Sequence, residues 1–352
     1  MNRIAQRKFD HLKLCEAGEI AFRSKTTLLE DVRLVHNALP DIDASAIDTD
    51  VTILGKHLRA PIVIAAMTGG THEATRINRE LAEIAEERGY GFGLGSQRAM
   101  HVHDDTASTY AVRQVAKSTL VLGNLGVVQA KQMTTEQIAS LVTSIEADAL
   151  CIHLNPAMEL VQPNGDRDFT GGLETIGRLV RELGVPIVVK ETGCGLSRSV
   201  GARLRSVGVT HVDVSGAGGT SWVAVETKRA EAEANTQAAA IGQALWDWGI
   251  PTGASVGMLA PLGFRTIIAT GGIATGLDVA RAIALGANAV GIARPALHAL
   301  STGGPAQVRA LFECVETELR AAMLLTGSAN IEALRQAPRV LGSELRAWIE
   351  QG

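Results

Sequence analysis

Between Ala149 and Phe169 the sequence reads ALCIHLNPAMELVQPNGDRDF, an apolar run that leads directly into a crowd of groups able to bind charged oxygen. Ala149 to Ile152 reads as a buried strand, because consecutive small or branched apolar residues suit a sheet covered on both faces. His153, Asn155, Glu159, Gln162, Asn164, Asp166, Arg167 and Asp168 follow, and Pro156 and Pro163 are expected to keep the segment out of helix. Glu159, four positions after Asn155, suits magnesium bridging to a substrate phosphate, with an ordinary surface glutamate as the plain alternative. Lys190 ends the apolar strand PIVVK, so its ammonium points into the same rim. There it can hold a flavin ring, form a Schiff base, or pair with a carboxylate such as Glu191. Glycine-rich SGAGGTS (215–221), TGG (270–272) and GIARP (291–295) offer backbone N–H groups to a phosphate, and a helix starting at Thr275 to Asp278 would add its dipole. Trp222 either walls an apolar pocket or packs beneath the segment after it. His101, His103, Asp104 and Asp105 could form a metal cluster but read more simply as a polar loop. Arg7 and Lys8 are solvated unless the N-terminal segment folds over the rim.

The elements that must position these groups are eight short apolar runs. They lie at 61–70, 90–96, 118–126, 149–156, 186–193, 210–216, 265–272 and 288–295. Amphipathic stretches alternate with them, several ending in glycine (Gly89, Gly184, Gly208, Gly286) as helix C-termini prefer. Eight strands with helices between them favour a closed α/β barrel, the (β/α)8 TIM barrel, in which all the glycine-rich strand ends share one rim. The reading is a single domain over 1–352. Residues 1–60 are an N-terminal extension, 217–250 a possible lid or a solvated helix, and 296–352 C-terminal helices, with 304–326 and 330–350 helical.

Composition narrows the class. At 46% hydrophobic and 20% charged residues the chain of 352 belongs with globular proteins rather than disordered ones. A net charge of -4 with six Phe, four Trp and two Tyr argues against a nucleic-acid partner, which would call for a basic face and stacking rings. Membrane-length apolar runs and a signal-peptide core are both missing, so a cytoplasmic protein is expected. Cys15, Cys151, Cys194 and Cys314 form no CxxC pair and read as idle thiols.

Together RKFDH (7–11), AAMTGG (65–70), GLGSQR (93–98), HLNPAMELVQPNGD (153–166), KETGCG (190–195), DVSGAGGTSW (213–222), WGIPT (248–252) and ATGGIATGLDVARAIALGANAVGIARP (269–295) closely resemble the type 2 isopentenyl diphosphate isomerases, from about residue 4 to residue 345. The resemblance implies an FMN-dependent TIM barrel that moves a double bond in a five-carbon diphosphate on reduced flavin, with NAD(P)H as the flavin reductant. It also implies a homo-oligomer, tetramer or octamer. By the same resemblance FMN would be held by Ala66, Met67, Thr68, Ser96, Asn124, Lys190, Ser215, Thr220, Gly271, Gly272, Ala293 and Arg294. The prenyl diphosphate would meet Arg7, Lys8, Ser96, Arg98, His153, Asn155 and Gln162, with Mg2+ on Glu159 and Lys190 and His153 among the catalytic groups. Two positions depart from the family pattern: Met158 stands where the family has a glutamine assigned to proton handling, and Asn164 replaces the glutamate of QPEGD. A thioether has no proton to give. The departure at Met158 therefore leaves an alternative, a divergent FMN-dependent oxidoreductase acting on a prenyl diphosphate or related allylic substrate.

Overall fold

The computed structural model describes residues 3–102 and 104–352; His103, one of the candidate loop residues, lies outside them. In chain order the strands are β1 (Val32–Leu34), β2 (Val51–Ile53), β3 (Lys56–Leu58), β4 (Ile62–Ile64), β5 (Gly91–Gly93), β6 (Leu120–Gly126), β7 (Ala149–Leu154), β8 (Ile187–Glu191), β9 (His211–Asp213), β10 (Thr266–Thr270), β11 (Ala289–Ile292) and β12 (Arg339–Leu341). Strands β4 to β11 close into a parallel barrel, each paired with its sequence neighbour, and β11 pairs back to β4. All eight expected strands are present. Their residues are almost wholly buried because helices cover the outside and side chains fill the inside. The antiparallel hairpin of β2 and β3 plugs the far end of the barrel, where Ile53 and Leu58 pack on Val63, Leu120, Leu122, Cys151 and Val188.

Three local expectations change. Pro156 does not exclude helix: it occupies the first turn of helix Pro156–Val161 behind the N-cap Asn155, where its missing N–H has no intrahelical partner to lose. Residues 330–350 are not continuous helix, since β12 interrupts them and pairs antiparallel with β1 of the N-terminal segment. The segment after β9 forms helices Trp222–Ala232 and Thr236–Ala244. The first is mostly buried rather than solvated, with Ala224 and Val225 against Ile20 and Trp246.

The N-terminal segment begins with helix α1 (Arg3–Ala17), which brings Arg7 and Lys8 to the barrel mouth. No helix among the described residues is long and apolar enough to cross a membrane.

Candidate active site

Register builds the centre of the site. His153 of β7 stands directly beside Lys190 of β8, and Lys190 directly beside Asp213 of β9. Three polar residues far apart in sequence thus meet at one level of the barrel. Lys190 Nζ lies 3.1 Å from Asp213 Oδ2 and 2.5 Å from Ser215 Oγ, all three buried. The lysine therefore pairs with Asp213 rather than with Glu191. The Glu191 carboxylate turns away to accept the backbone N–H groups of Thr192 and Cys194, and burial pushes its pKa up to about 7 against those bonds.

The Asn124 amide donates to Leu94 O at 3.1 Å, which leaves its oxygen to accept from His153 Nδ1 at 2.8 Å. The neutral ring accordingly carries its proton on Nδ1. Burial, aided by Lys190 and Arg98, pushes the His153 pKa down to about 4.

Helix Pro156–Val161 presents Glu159 inward. Its carboxylate accepts from Asn155 Nδ2 at 2.9 Å, Gln162 Nε2 at 3.1 Å and the backbone N–H of Asp166 at 2.8 Å. Arg98 faces Asp166 at 3.5 Å. Among the described residues no group of three or more His, Cys, Asp and Glu side chains is arranged to hold a metal ion.

Helix α1 is tied down at two places. Lys8 Nζ bonds the carbonyls of Gly69 and Ser96, while His11 Nε2 meets Glu226 Oε1 at 2.7 Å. Glu226 is fully buried; that burial alone would raise its pKa, but His11 and Arg229 outweigh it and hold the carboxyl below its usual range. His11 itself is lowered by burial, opposed by Glu226. Trp222 stacks edge-on against His11 with centroids 5.2 Å apart.

Every residue singled out for flavin, diphosphate or magnesium, Met158 included, lines one cavity of about 310 Å3, a size usual for ligand sites. Asn155, Glu159, Gln162 and Lys190 are buried there with their polar ends inward. Among the described residues the buried side-chain polar atoms without a partner are Arg7 Nε, Thr68 Oγ1, Gln162 Oε1, Thr270 Oγ1 and Arg294 Nη1. All five line this cavity. Buried orphans cost free energy unless a ligand completes them, so their clustering fits a polar, phosphate-bearing occupant. The glycines fit as well: a Cβ on Gly219 would lie 2.5 Å from Gly272 N, and one on Gly271 2.2 Å from Gly216 O. Larger residues would close the cradle.

One expected anion contact fails. The N–H groups of Ala274 and Thr275 are occupied by the Asp278 carboxylate, that of Gly276 by Glu318 and that of Asp278 by the Thr275 hydroxyl, and none of residues 275–278 lines the cavity. Other helix starts do line the cavity, among them that of Arg294–Leu325, at Arg294 and Pro295. Sequence reasoning passed over Asp213, His11 and Glu226. Asp213 left a signal as a lone acid inside THVDVSG, whereas the other two lie on helices whose facing cannot be read from sequence.

Residues 1–155 and 131–340 match the model of the FMN-dependent dehydrogenase family. An isopentenyl-diphosphate delta-isomerase of Methanothermobacter thermautotrophicus is 41% identical over 349 residues, covering 99% of this chain and 96% of that protein. The protein of the same name from Methanosarcina barkeri is 43% identical over 339 residues, covering 96% and 92%. Among solved structures, a putative lactate oxidase of Pediococcus acidilactici superimposes with a TM-score of 0.69 at 15% identity, covering 97% of this chain and 94% of the other. A mandelate oxidase variant carrying an FMN adduct gives 0.63 at 18%, covering 92% and 94%. At such identities the two oxidases speak for the barrel alone.

Proposed function

The chain belongs to the isopentenyl-diphosphate delta-isomerases within the FMN-dependent dehydrogenase family, and from that premise we propose that it converts isopentenyl diphosphate to dimethylallyl diphosphate. The observation that carries this reading is the convergence of all five buried orphan atoms on one cavity whose two sides differ in chemistry. Thr68, Thr270, Arg294 and the glycine cradle suit the flavin and its phosphate. Arg7, Arg98, Asn155 and Gln162 suit a diphosphate, where a planar guanidinium can bind two oxygens at once.

Reduced FMN supplies the acid–base chemistry of the 1,3 proton shift. The chain's own residues hold and orient. Lys190, fixed by Asp213 and Ser215, holds its side-chain nitrogen beside the flavin site. His153, held neutral, keeps its Nδ1 proton engaged with Asn124. Glu159 is held by three donors, which supports a role as the single protein carboxylate on a Mg2+ that the diphosphate also binds. Met158 lines the cavity with Leu12 and Trp222 and contributes apolar bulk against the hydrocarbon end.

NAD(P)H as the reductant that primes the flavin, a tetrameric or octameric assembly, and a cytoplasmic location complete the proposal. The extension, the 217–250 segment and the C-terminal helices are proposed as parts of one domain. The oxidoreductase alternative is not favoured, since relatives above 40% identity are named as isomerases.

Anaerobic turnover of isopentenyl diphosphate by dithionite-reduced enzyme with FMN and Mg2+ in heavy water tests the reading. Dimethylallyl diphosphate bearing solvent deuterium is the expected product. Stoichiometric consumption of reductant without that product would replace isomerisation with redox chemistry.

A further inference from the structure

Tyr110 has no role in anything above. It is fully buried at the end of the 3-10 segment Asp104–Tyr110. Its hydroxyl nevertheless reaches two cavity residues: it donates to Ser96 O at 2.7 Å and accepts from Lys8 Nζ at 2.9 Å. An ammonium has three donors. Those of Lys8 go to Tyr110 Oη, to the Ser96 carbonyl at 3.3 Å and to the Gly69 carbonyl. These acceptors are all neutral, while burial with Arg7 alongside draws the Lys8 pKa down to about 7.

The approach of the ring is built in. A Cβ on Gly69 would lie 2.1 Å from Tyr110 Cε1, so the middle position of TGG has to be glycine for Tyr110 to reach the rim. Thr109 Oγ1 accepts from the N–H of Gly70 at 2.8 Å, and Asn78 Nδ2 donates to the carbonyls of Thr68 and Thr109. The 3-10 segment is thereby fastened to loop 68–70.

We propose that Tyr110 is a positioning residue for the diphosphate that acts through Lys8: its hydroxyl, anchored on the Ser96 carbonyl, fixes the Lys8 ammonium and so seats α1, with Arg7, at the cavity mouth. This rests on the reading of Arg7, Lys8 and Ser96 as the diphosphate side. With its three donors engaged, Lys8 acts on the anion through a fixed charge and through the placement of its helix. Arg7, whose Nε has no partner, is the neighbour with a donor to give.

The test is calorimetric titration of inorganic pyrophosphate with Mg2+ into the FMN-loaded protein, for wild type, Tyr110→Phe, Lys8→Met and the double variant. Phenylalanine keeps the ring against Gly69 and removes only the oxygen. Tyr110→Phe is expected to weaken pyrophosphate binding about tenfold, in line with loss of a hydrogen bond to a charged group. The KM for isopentenyl diphosphate should rise equally, with kcat and bound FMN within about twofold. In the Lys8→Met background the same change should alter affinity by less than about twofold, because a residue acting through its neighbour shows non-additivity. A full tenfold loss in that background overturns the proposal, as does an effect confined to kcat or FMN content. A wild type that ignores pyrophosphate overturns it too. Should the wild type bind pyrophosphate but leave isopentenyl diphosphate unchanged, the isomerase reading fails while the four affinities still decide the role of Tyr110.

Discussion

The two sides of the cavity are held in place by different physics. His153, Lys190 and Asp213 sit on adjacent parallel strands in direct register, so a continuous backbone ladder sets their spacing. Arg7 and Lys8 ride on α1, which reaches the barrel through side-chain contacts at Gly69, Ser96 and Tyr110 and reaches helix Trp222–Ala232 through His11 and Glu226. A ladder holds its spacing when one side chain changes, so a buried group left without its partner cannot move to relieve the loss, whereas a helix tied at a few side chains can shift as a unit. The flavin side should therefore respond to mutation by destabilisation, and the diphosphate side by weaker substrate binding with the fold intact.

The largest effect is expected from Asp213→Asn, which leaves the Lys190 ammonium buried without an anion. Removing one partner of such a pair costs roughly 3–5 kcal/mol, so the melting temperature should fall sharply and FMN be lost. An unchanged melting curve would remove the contrast between the two sides.

Next comes Met158→Gln, which restores the family's proton-bearing group between the sides. A general acid or base contributes roughly 100-fold or more in rate, so kcat should rise by up to about that factor with KM little changed. A slower variant would mean that the cavity has been rebuilt around the thioether.

Glu226→Gln should loosen α1 alone. The buried anion that holds both His11 and Arg229 is gone, and pyrophosphate affinity should drop about tenfold, by analogy with a lost charge-assisted hydrogen bond, while FMN stays bound. Loss of FMN in this variant would show that the two sides are one unit.

Protonation distinguishes them further. Burial and Arg7 draw the Lys8 pKa down to about 7, so the advantage of wild type over Lys8→Met in pyrophosphate affinity should shrink as pH rises through 7, measured by titration at constant ionic strength; taking the ratio cancels the ionisation of pyrophosphate itself. His153, with its pKa pushed down to about 4, stays neutral across that window. A ratio that is flat from pH 6 to 9 would show that the charge of Lys8 is not used.

The smallest effect is expected from Asn164→Glu, which restores the other family residue. Asn164 has a φ of +57°, a left-handed conformation that asparagine tolerates better than glutamate, so the change should destabilise by about 1 kcal/mol. Thermal unfolding checks it; a stabilised variant would mean that the loop re-folds into another turn.

The strands were legible because a sheet buried on both faces demands unbroken apolar runs, and eight such runs with glycine-rich ends leave few folds open. PIVVK announced Lys190 by the same rule, since a charge closing an apolar strand has to point out of the core. Pro156 misled because proline is equally suited to breaking a helix and to starting one, and only the position of Asn155 as N-cap decides which. Asp278 misled in a similar way: a capping carboxylate and a phosphate compete for the same N–H groups, and here the side chain occupies them. The role of α1 was left open, because its charged and apolar residues gave no strong period until the barrel mouth supplied a face to pack on.

By itself the sequence determined the barrel, the family and the roster of residues around the cavity, because motif order and strand periodicity are local properties of the chain. The tertiary structure alone decided who pairs with whom. Lys190 meets Asp213 rather than Glu191 because parallel register aligns the two strand ends. Lys8 meets Tyr110, 102 residues away, because a glycine at 69 leaves room for the ring. Such partnerships depend on closure of the barrel and on how a helix lies across its mouth, and neither leaves a periodic trace in the sequence.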